Sequence, residues 1–145
     1  MSVLTLAQAS VIVDKALERG RELKLAPLTV VVLDAGGHLK AAKREDASSL
    51  LREDIATGKA WGVLGMGFGG RELARRAAKA PPGFFGALSD MSGGRMVPVP
   101  GGVLIRAADG AIVGAVGISG DVSEKDEDCA VHGIKAAGLA PDTGD

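Results

Sequence analysis

Residues 28–44 read LTVVVLDAGGHLKAAKR, and the fold follows from how that stretch is divided. Leu28 to Leu33 is a β-branched run, Asp34-Ala35-Gly36-Gly37 is turn chemistry, and His38 to Arg44 returns as a second strand. The segment therefore predicts an antiparallel hairpin. A second hairpin is written downstream, with Gly102 to Ala107 and Ala111 to Ile118 joined by the turn Ala108-Asp109-Gly110. Helical patterns fill the space between them. Ser48 or Ser49 caps a helix in which Leu51, Ile55, Gly58 and Gly62 share one face, and Gly65 to Gly70 breaks it. Arg71 to Ala80 forms a short basic helix closed by Pro81-Pro82, and Phe84 to Asp90 adds a further turn or two. Val97-Pro98-Val99-Pro100 is extended, its prolines confining it to an edge or a strand entry.

Working outward, Thr5 with Gln8 is a capping box that opens a helix over roughly residues 6–24, with Ala9, Ile12, Val13, Ala16 and Leu17 at helical spacing. Pro27 ends it. At the other end Ser123 with Asp126 forms a second capping box, opening a last helix to Ala137 with Gly138 as its C-cap. The predicted order is α-ββ-ααα-β-ββ-α. Hairpins on either side of a helical middle give an α+β fold over residues 1–145 as one domain, with a central antiparallel sheet of about five strands flanked by helices as a profilin-like sandwich.

Composition narrows the function. The chain has 145 residues, 22 of them Gly, and only four aromatics, Trp61, Phe68, Phe84 and Phe85. Glycine at twice the usual share without a period of three excludes a collagen-like chain and assigns the surplus to turns and close backbone contacts. Seventeen basic against 18 acidic residues leave no footprint for a phosphate backbone, and so few aromatics make a poor stacking platform for single strands. No nucleic-acid partner is expected. The longest apolar run, Gly110 to Ser119, is half a membrane span, so no membrane partner is expected either. A single cysteine, Cys129, and a start without a charged leader point to a soluble cytoplasmic protein.

Several residues are candidates for chemistry. Gly65-Met66-Gly67-Phe68-Gly69-Gly70 matches G-x-G-x-x-G, but it follows a helix where a dinucleotide site needs a strand. Gly117-Ile118-Ser119-Gly120-Asp121 lacks the second glycine of a nucleophile elbow and reads better as a tight turn whose backbone N–H groups and Ser119 hydroxyl face a ligand. Cys129 and His132 lie three apart on the last helix, so His132 is a candidate metal ligand. His38, after the hairpin turn, is a candidate iron ligand or general base. Arg44, Asp46 and Lys59 remain. Lys59 stands among small residues, between Gly58 and Ala60, where a cation needs an anion. That anion is either a bound carboxylate or a structural partner, Asp54 or Glu53, with Arg44–Asp46 as the equivalent pair near the strand end.

Three longer patterns carry a resemblance. They are Pro100-Gly101-Gly102-Val103, then Asp109-Gly110 with Val113-Gly114-Ala115-Val116-Gly117-Ile118-Ser119-Gly120, and Glu124-Lys125-Asp126 with Ala130. Together with Leu4-Thr5-Leu6, Val31-Val32-Leu33-Asp34 before Gly36-Gly37, and Arg44-Glu45-Asp46-Ala47 before Lys59-Ala60, they resemble the GlcG/HbpS-like family, also called the haem-degrading or PduO C-terminal-like domain. The likeness covers nearly the whole chain. It departs at Gly101-Gly102-Val103-Leu104-Ile105, where the family commonly has Gly-Gly-x-Pro-Ile. The resemblance implies a central antiparallel sheet flanked by helices, homo-oligomers of two or more chains, and, in several relatives, haem binding. Carried over, it marks Arg44, Asp46, Lys59, Gly101, Gly102, Ser119, Gly120 and Asp126.

Three functions are expected on these grounds. The first is a small-molecule-binding domain with haem as the ligand. The second is an enzyme on a small hydroxy- or keto-acid, with Arg44, Lys59 and the Gly101–Gly102 and Ser119–Gly120 turns around the carboxylate and Asp46 or His38 as base. The third is a non-catalytic oligomeric accessory protein.

Overall fold

Thr5 starts the first helix as its side chains predict. Its Oγ1 accepts from the Gln8 N–H at 3.1 Å while Gln8 Oε1 accepts from the Thr5 N–H at 3.0 Å. The computed structural model, which describes residues 3–145, gives this helix, α1, the span Leu6–Glu22 and buries its stripe Ala9, Ile12, Val13, Ala16 and Gly20. The opening hairpin follows as β1 (Thr29–Asp34) and β2 (Leu39–Arg44). Asp34 Oδ1 accepts from the N–H groups of Gly36 and His38, both at 3.0 Å, which closes the turn.

Three helices come next, α2 (Leu51–Met66), α3 (Gly70–Lys79) and α4 (Phe84–Met91). The second hairpin is β3 (Gly102–Arg106) with β4 (Ile112–Ser119), and α5 (Ser123–Ala136) leads to a short β5 (Ala140–Asp142). All pairings are antiparallel, and the strands lie in the order β2-β1-β4-β3-β5. The fold is α+β, with five helices and five strands among the described residues. Among the described residues no helix is long and apolar enough to cross a membrane.

The sheet is covered on both faces, so its central strands are apolar throughout rather than alternating. Val30, Val32, Ile105 and Ile118 pack against Ile12 and Val13 of α1 and Ile134 of α5. Val31, Leu33, Leu104 and Ala115 pack against Ala56, Ala60 and Val63 of α2 and Leu73 of α3. Each large aliphatic side chain buried this way contributes about 1.5–3 kcal/mol.

Four local expectations are corrected. Val97-Pro98-Val99-Pro100 is not a strand; it straps across α2, with the Val97 N–H bonded to the Gly58 carbonyl at 3.3 Å. The fifth strand is Ala140–Asp142 instead, held on β3 by pairs such as Ile105 with Pro141. Neither Ser48 nor Ser49 caps α2 with its side chain: Leu50 holds the cap position, and the Ser48 hydroxyl bonds that of Thr29 at 2.8 Å. Ser123 and Asp126 form no capping box either, because Val122 is the cap residue of α5 and the Asp126 carboxylate is engaged elsewhere.

Candidate functional site

Lys59 is the centre of the arrangement that the sequence candidates build. It is 3% exposed on α2, and its Nζ donates to the Ile118 carbonyl at 2.9 Å and to Asp126 Oδ2 at 3.2 Å. Asp126 is on α5, on the opposite face of the sheet, so the ammonium group reaches past the end of the strands to meet it. Glycines make the passage. At Gly117 a Cβ would collide with the Ala56 carbonyl, and at Gly102 with that of Lys59, so α2 lies directly against the strand backbones. Gly101 has φ +113°, and a Cβ there would stand 3.1 Å from Lys59 Nζ. The other Asp126 oxygen accepts from the Asp121 N–H at 3.1 Å. Burial raises the Asp126 pKa above the ordinary carboxylate value, against the pull of Lys59.

The structure therefore brings Lys59, Gly101, Gly102 and Asp126 together, and Ser119 next to them, buried and receiving a bond from Arg52 Nη1 at 3.2 Å. The partner of Lys59 is neither Asp54 nor Glu53 but a residue 67 positions away, a pairing that only the tertiary fold creates. With Nζ committed and shielded, Lys59 does not face the cleft beside Arg44. Gly120 is pressed against the 27–28 backbone, where a Cβ would lie 3.0 Å from Leu28 Cα.

Arg44 and Asp46 stand at the open end of the first hairpin. Arg44 Nη1 donates to the Ser48 carbonyl at 2.9 Å, so the expected Arg44–Asp46 pair is replaced by a backbone contact. Both residues line an open cleft of about 440 Å³ with Arg21, Pro27 and Glu45. Glu45 is held there by Arg21 at 3.0 Å and by the Leu28 N–H at 2.7 Å. Ala47, next in sequence, has φ +66°.

His38 lies at the other end of β2, so six residues of extended chain, about 20 Å, separate it from the Arg44 cleft. It cannot act as base for a substrate held by Arg44. Its imidazole is 82% exposed, with Nδ1 3.5 Å from Asp34 Oδ1. Asp34 itself is held below the ordinary carboxylate range, chiefly by the hydrogen bond from the His38 backbone. His132 is half-buried on α5, away from His38, and among the described residues no three His, Cys, Asp or Glu side chains converge on a metal position. Cys129 is fully buried, and burial pushes its thiol up to about 12, which leaves it a small core group rather than a ligand.

Sequence reasoning missed the apolar side of the molecule. All four aromatics lie on the C-terminal half of α2 and the segments after it, Trp61, Phe68 and Phe85 half-buried against the core and Phe84 exposed. Trp61, Leu64 and Gly65 line a cleft of about 140 Å³ with Ala35, Gly36 and Gly37, beside the turn that carries His38. The Arg95 guanidinium lies 4.4 Å over the Trp61 ring, and that of Arg76 lies 4.1 Å over Phe68. Phe84 and Phe85 meet edge to face at 5.4 Å. The spacing of Trp61 and Leu64 on α2, with Phe68 just past its end, was the available signal.

The glycine motif at residues 65–70 serves packing. Gly67 closes α2 in the left-handed conformation, and Gly69 and Gly70 admit the backbones of Thr143 and Val99. No phosphate loop results.

Residues 4–135 match the family described as haem degrading protein HbpS-like. Among curated proteins, the corrinoid adenosyltransferase PduO of Salmonella typhimurium is 31% identical over 121 residues, covering 83% of this chain and 35% of that protein. The chain thus spans about a third of the length of the curated relatives it matches. Among solved structures, a PduOC–haem complex superposes with a TM-score of 0.84 at 28% identity, covering 99% of this chain and 100% of the other. A double mutant of HbpS from Streptomyces reticuli gives a TM-score of 0.79 at 28% identity, covering 93% and 87%.

Proposed function

The chain belongs to the HbpS-like family, and from that premise we propose that it binds haem, with His38 as the iron ligand and the Trp61 cleft as the apolar seat. The observation that carries this reading is the state of His38. Its Nδ1 faces the Asp34 carboxylate, and among the described residues its Nε2 has no partner. A carboxylate behind a ligating imidazole fixes the ring and raises its basicity. The residues beside it fit the group. Trp61 and Leu64 supply an apolar wall, and Arg95, stacked on Trp61, supplies a cation for an acidic edge. The cleft is small, so it seats one edge of a porphyrin and leaves the remainder at the surface. Bound haem would supply a redox-active iron; the chain's own part would be to hold it at His38, with the ring oriented by Asp34. Haemin titration is expected to give a Soret band that His38→Ala weakens at least tenfold in affinity and His132→Ala leaves unchanged. An unchanged spectrum in His38→Ala, or its loss in His132→Ala, overturns the assignment.

A second reading rests on the cleft of about 440 Å³, where Arg21 and Arg44 stand beside Glu45 and Asp46. Arg44 makes one hydrogen bond there and keeps further donors for an anion. A small hydroxy- or keto-acid suits it, with Asp46 as base. Glycolate is expected to raise the melting temperature and Arg44→Ala to abolish that rise; a rise that survives the substitution discards this site. Homo-oligomers belong to either reading and are supported by β2, an uncovered edge strand with Leu39 66% exposed.

A further inference from the structure

The junction between α3 and α4 leaves a third cleft that neither reading uses. It encloses about 480 Å³ and is lined by Met66, Ala80, Pro81, Phe84 and Phe85, with Arg76 and Lys79 on its rim. That is the size of a small-molecule site, apolar within and polar at few places. The charges on the rim are of one sign. Of the four cations of α3, Arg71 is tied to Glu127 at 2.8 Å and Arg75 to Glu72 at 2.6 Å. Arg76 gives one bond to Glu72 at 3.1 Å and spreads its plane over Phe68. Lys79 has no ion-pair partner among the described residues, and no acidic side chain lines the cleft.

An apolar floor under an uncompensated cation selects a ligand with the opposite arrangement. We propose that this cleft binds an amphipathic carboxylate of medium chain length, its tail on Phe84, Phe85 and Met66 and its head at Lys79 and Arg76. Phe84 is 46% exposed, an unusual position for a Phe that packs only within the fold. An aliphatic tail laid across it removes that surface from water. The carboxylate head then meets Lys79 at the edge, where charge contributes selectivity as well as affinity.

Isothermal titration of the whole chain with octanoate and with octanol tests the proposal. Octanoate is expected to bind and octanol to bind at least tenfold more weakly. Lys79→Gln is expected to bring octanoate down to the octanol level, and Phe84→Ala to weaken both ligands about fivefold. Melting temperatures within a degree or two of the parent show that both variants remain folded. His38→Ala is expected to leave octanoate binding intact, which separates this cleft from the haem site. Equal binding of octanol and octanoate, no effect of Lys79→Gln in a folded protein, loss of octanoate in His38→Ala, or binding to anionic vesicles without octanoate binding overturns it.

Discussion

At the scale of single residues, Lys59 and Asp126 are the most consequential pair in the molecule. An isolated charge at either position is costly, because burial removes its hydration. The pair is also what joins α2 to α5 across the strand ends, in a place where Gly101, Gly102 and Gly117 leave no side chains to pack. Asp126→Asn leaves a buried ammonium facing a neutral amide and the Ile118 carbonyl, and Lys59→Met leaves a buried carboxylate with only the Asp121 N–H. Lys59→Met is expected to destabilise by about 3–5 kcal/mol, and Asp126→Asn by clearly less, because burial already disfavours the Asp126 charge. The double variant, which buries neither charge, is expected to lose clearly less than the sum of the two. Denaturant unfolding of the four proteins measures this directly. Additive losses mean that the two groups do not interact and that the pair is not the pin described here.

At the scale of elements, the glycines of β4 and α4 serve opposite purposes. Gly117 is where α2 touches the sheet, its missing side chain replaced by the Ala56 carbonyl and the Ala60 N–H. Gly86 lies inside α4 with open space around it. Gly117→Ala is therefore expected to cost about 3 kcal/mol or more by forcing the helix off the sheet. Gly86→Ala is expected to gain about 0.5–1 kcal/mol from helix propensity alone. Equal effects in thermal unfolding would show that the contact at Gly117 yields without strain. The same contrast explains what the sequence makes legible. Helices α1 and α2 and both hairpins are written in local periodicity and turn residues, so they could be read. Residues 140–142 are too short to show a period and contain Pro141; they form a strand only because β3 offers an edge. Asp126 reads as a capping residue until the fold places Lys59 beside it. Arg44, Asp46 and His38 read as neighbours in sequence, yet β2 holds Arg44 and His38 apart. The aromatic flank depends on where the segments after α2 bring Phe68 and Phe85 against the core beside Trp61, which no local pattern announces.

At the scale of the whole molecule, four acids between Asp121 and Asp128 make separate ties. Asp121 accepts from the Ala26 and Val122 N–H groups at 3.0 and 2.8 Å, Asp126 holds Lys59, Glu127 holds Arg71, and Asp128 meets Arg19 at 3.2 Å. Their protonation sets the response to acid. Asp121 is held below the ordinary carboxylate value mainly by the Ala26 N–H, Asp34 by that of His38, and Glu72 by the Arg75 guanidinium. A carboxyl whose folded pKa is depressed contributes stability above its unfolded value and loses it as pH falls toward the folded one. Asp126, raised by burial, has the opposite sign: above the ordinary value its charge costs stability, and protonation in acid relieves that cost. Three groups outnumber one, so the melting temperature is expected to hold from neutrality to about pH 5 and to fall steeply below about pH 4. Asp121→Asn keeps one acceptor for the loop between α1 and β1 but removes the titrating group. It is expected to lower the melting temperature at pH 7 and to show a shallower acid decline than the parent. An identical decline in the two proteins would mean that the tie between the 26–27 loop and the start of α5 does not govern the acid response, and that Asp34 and Glu72 carry it.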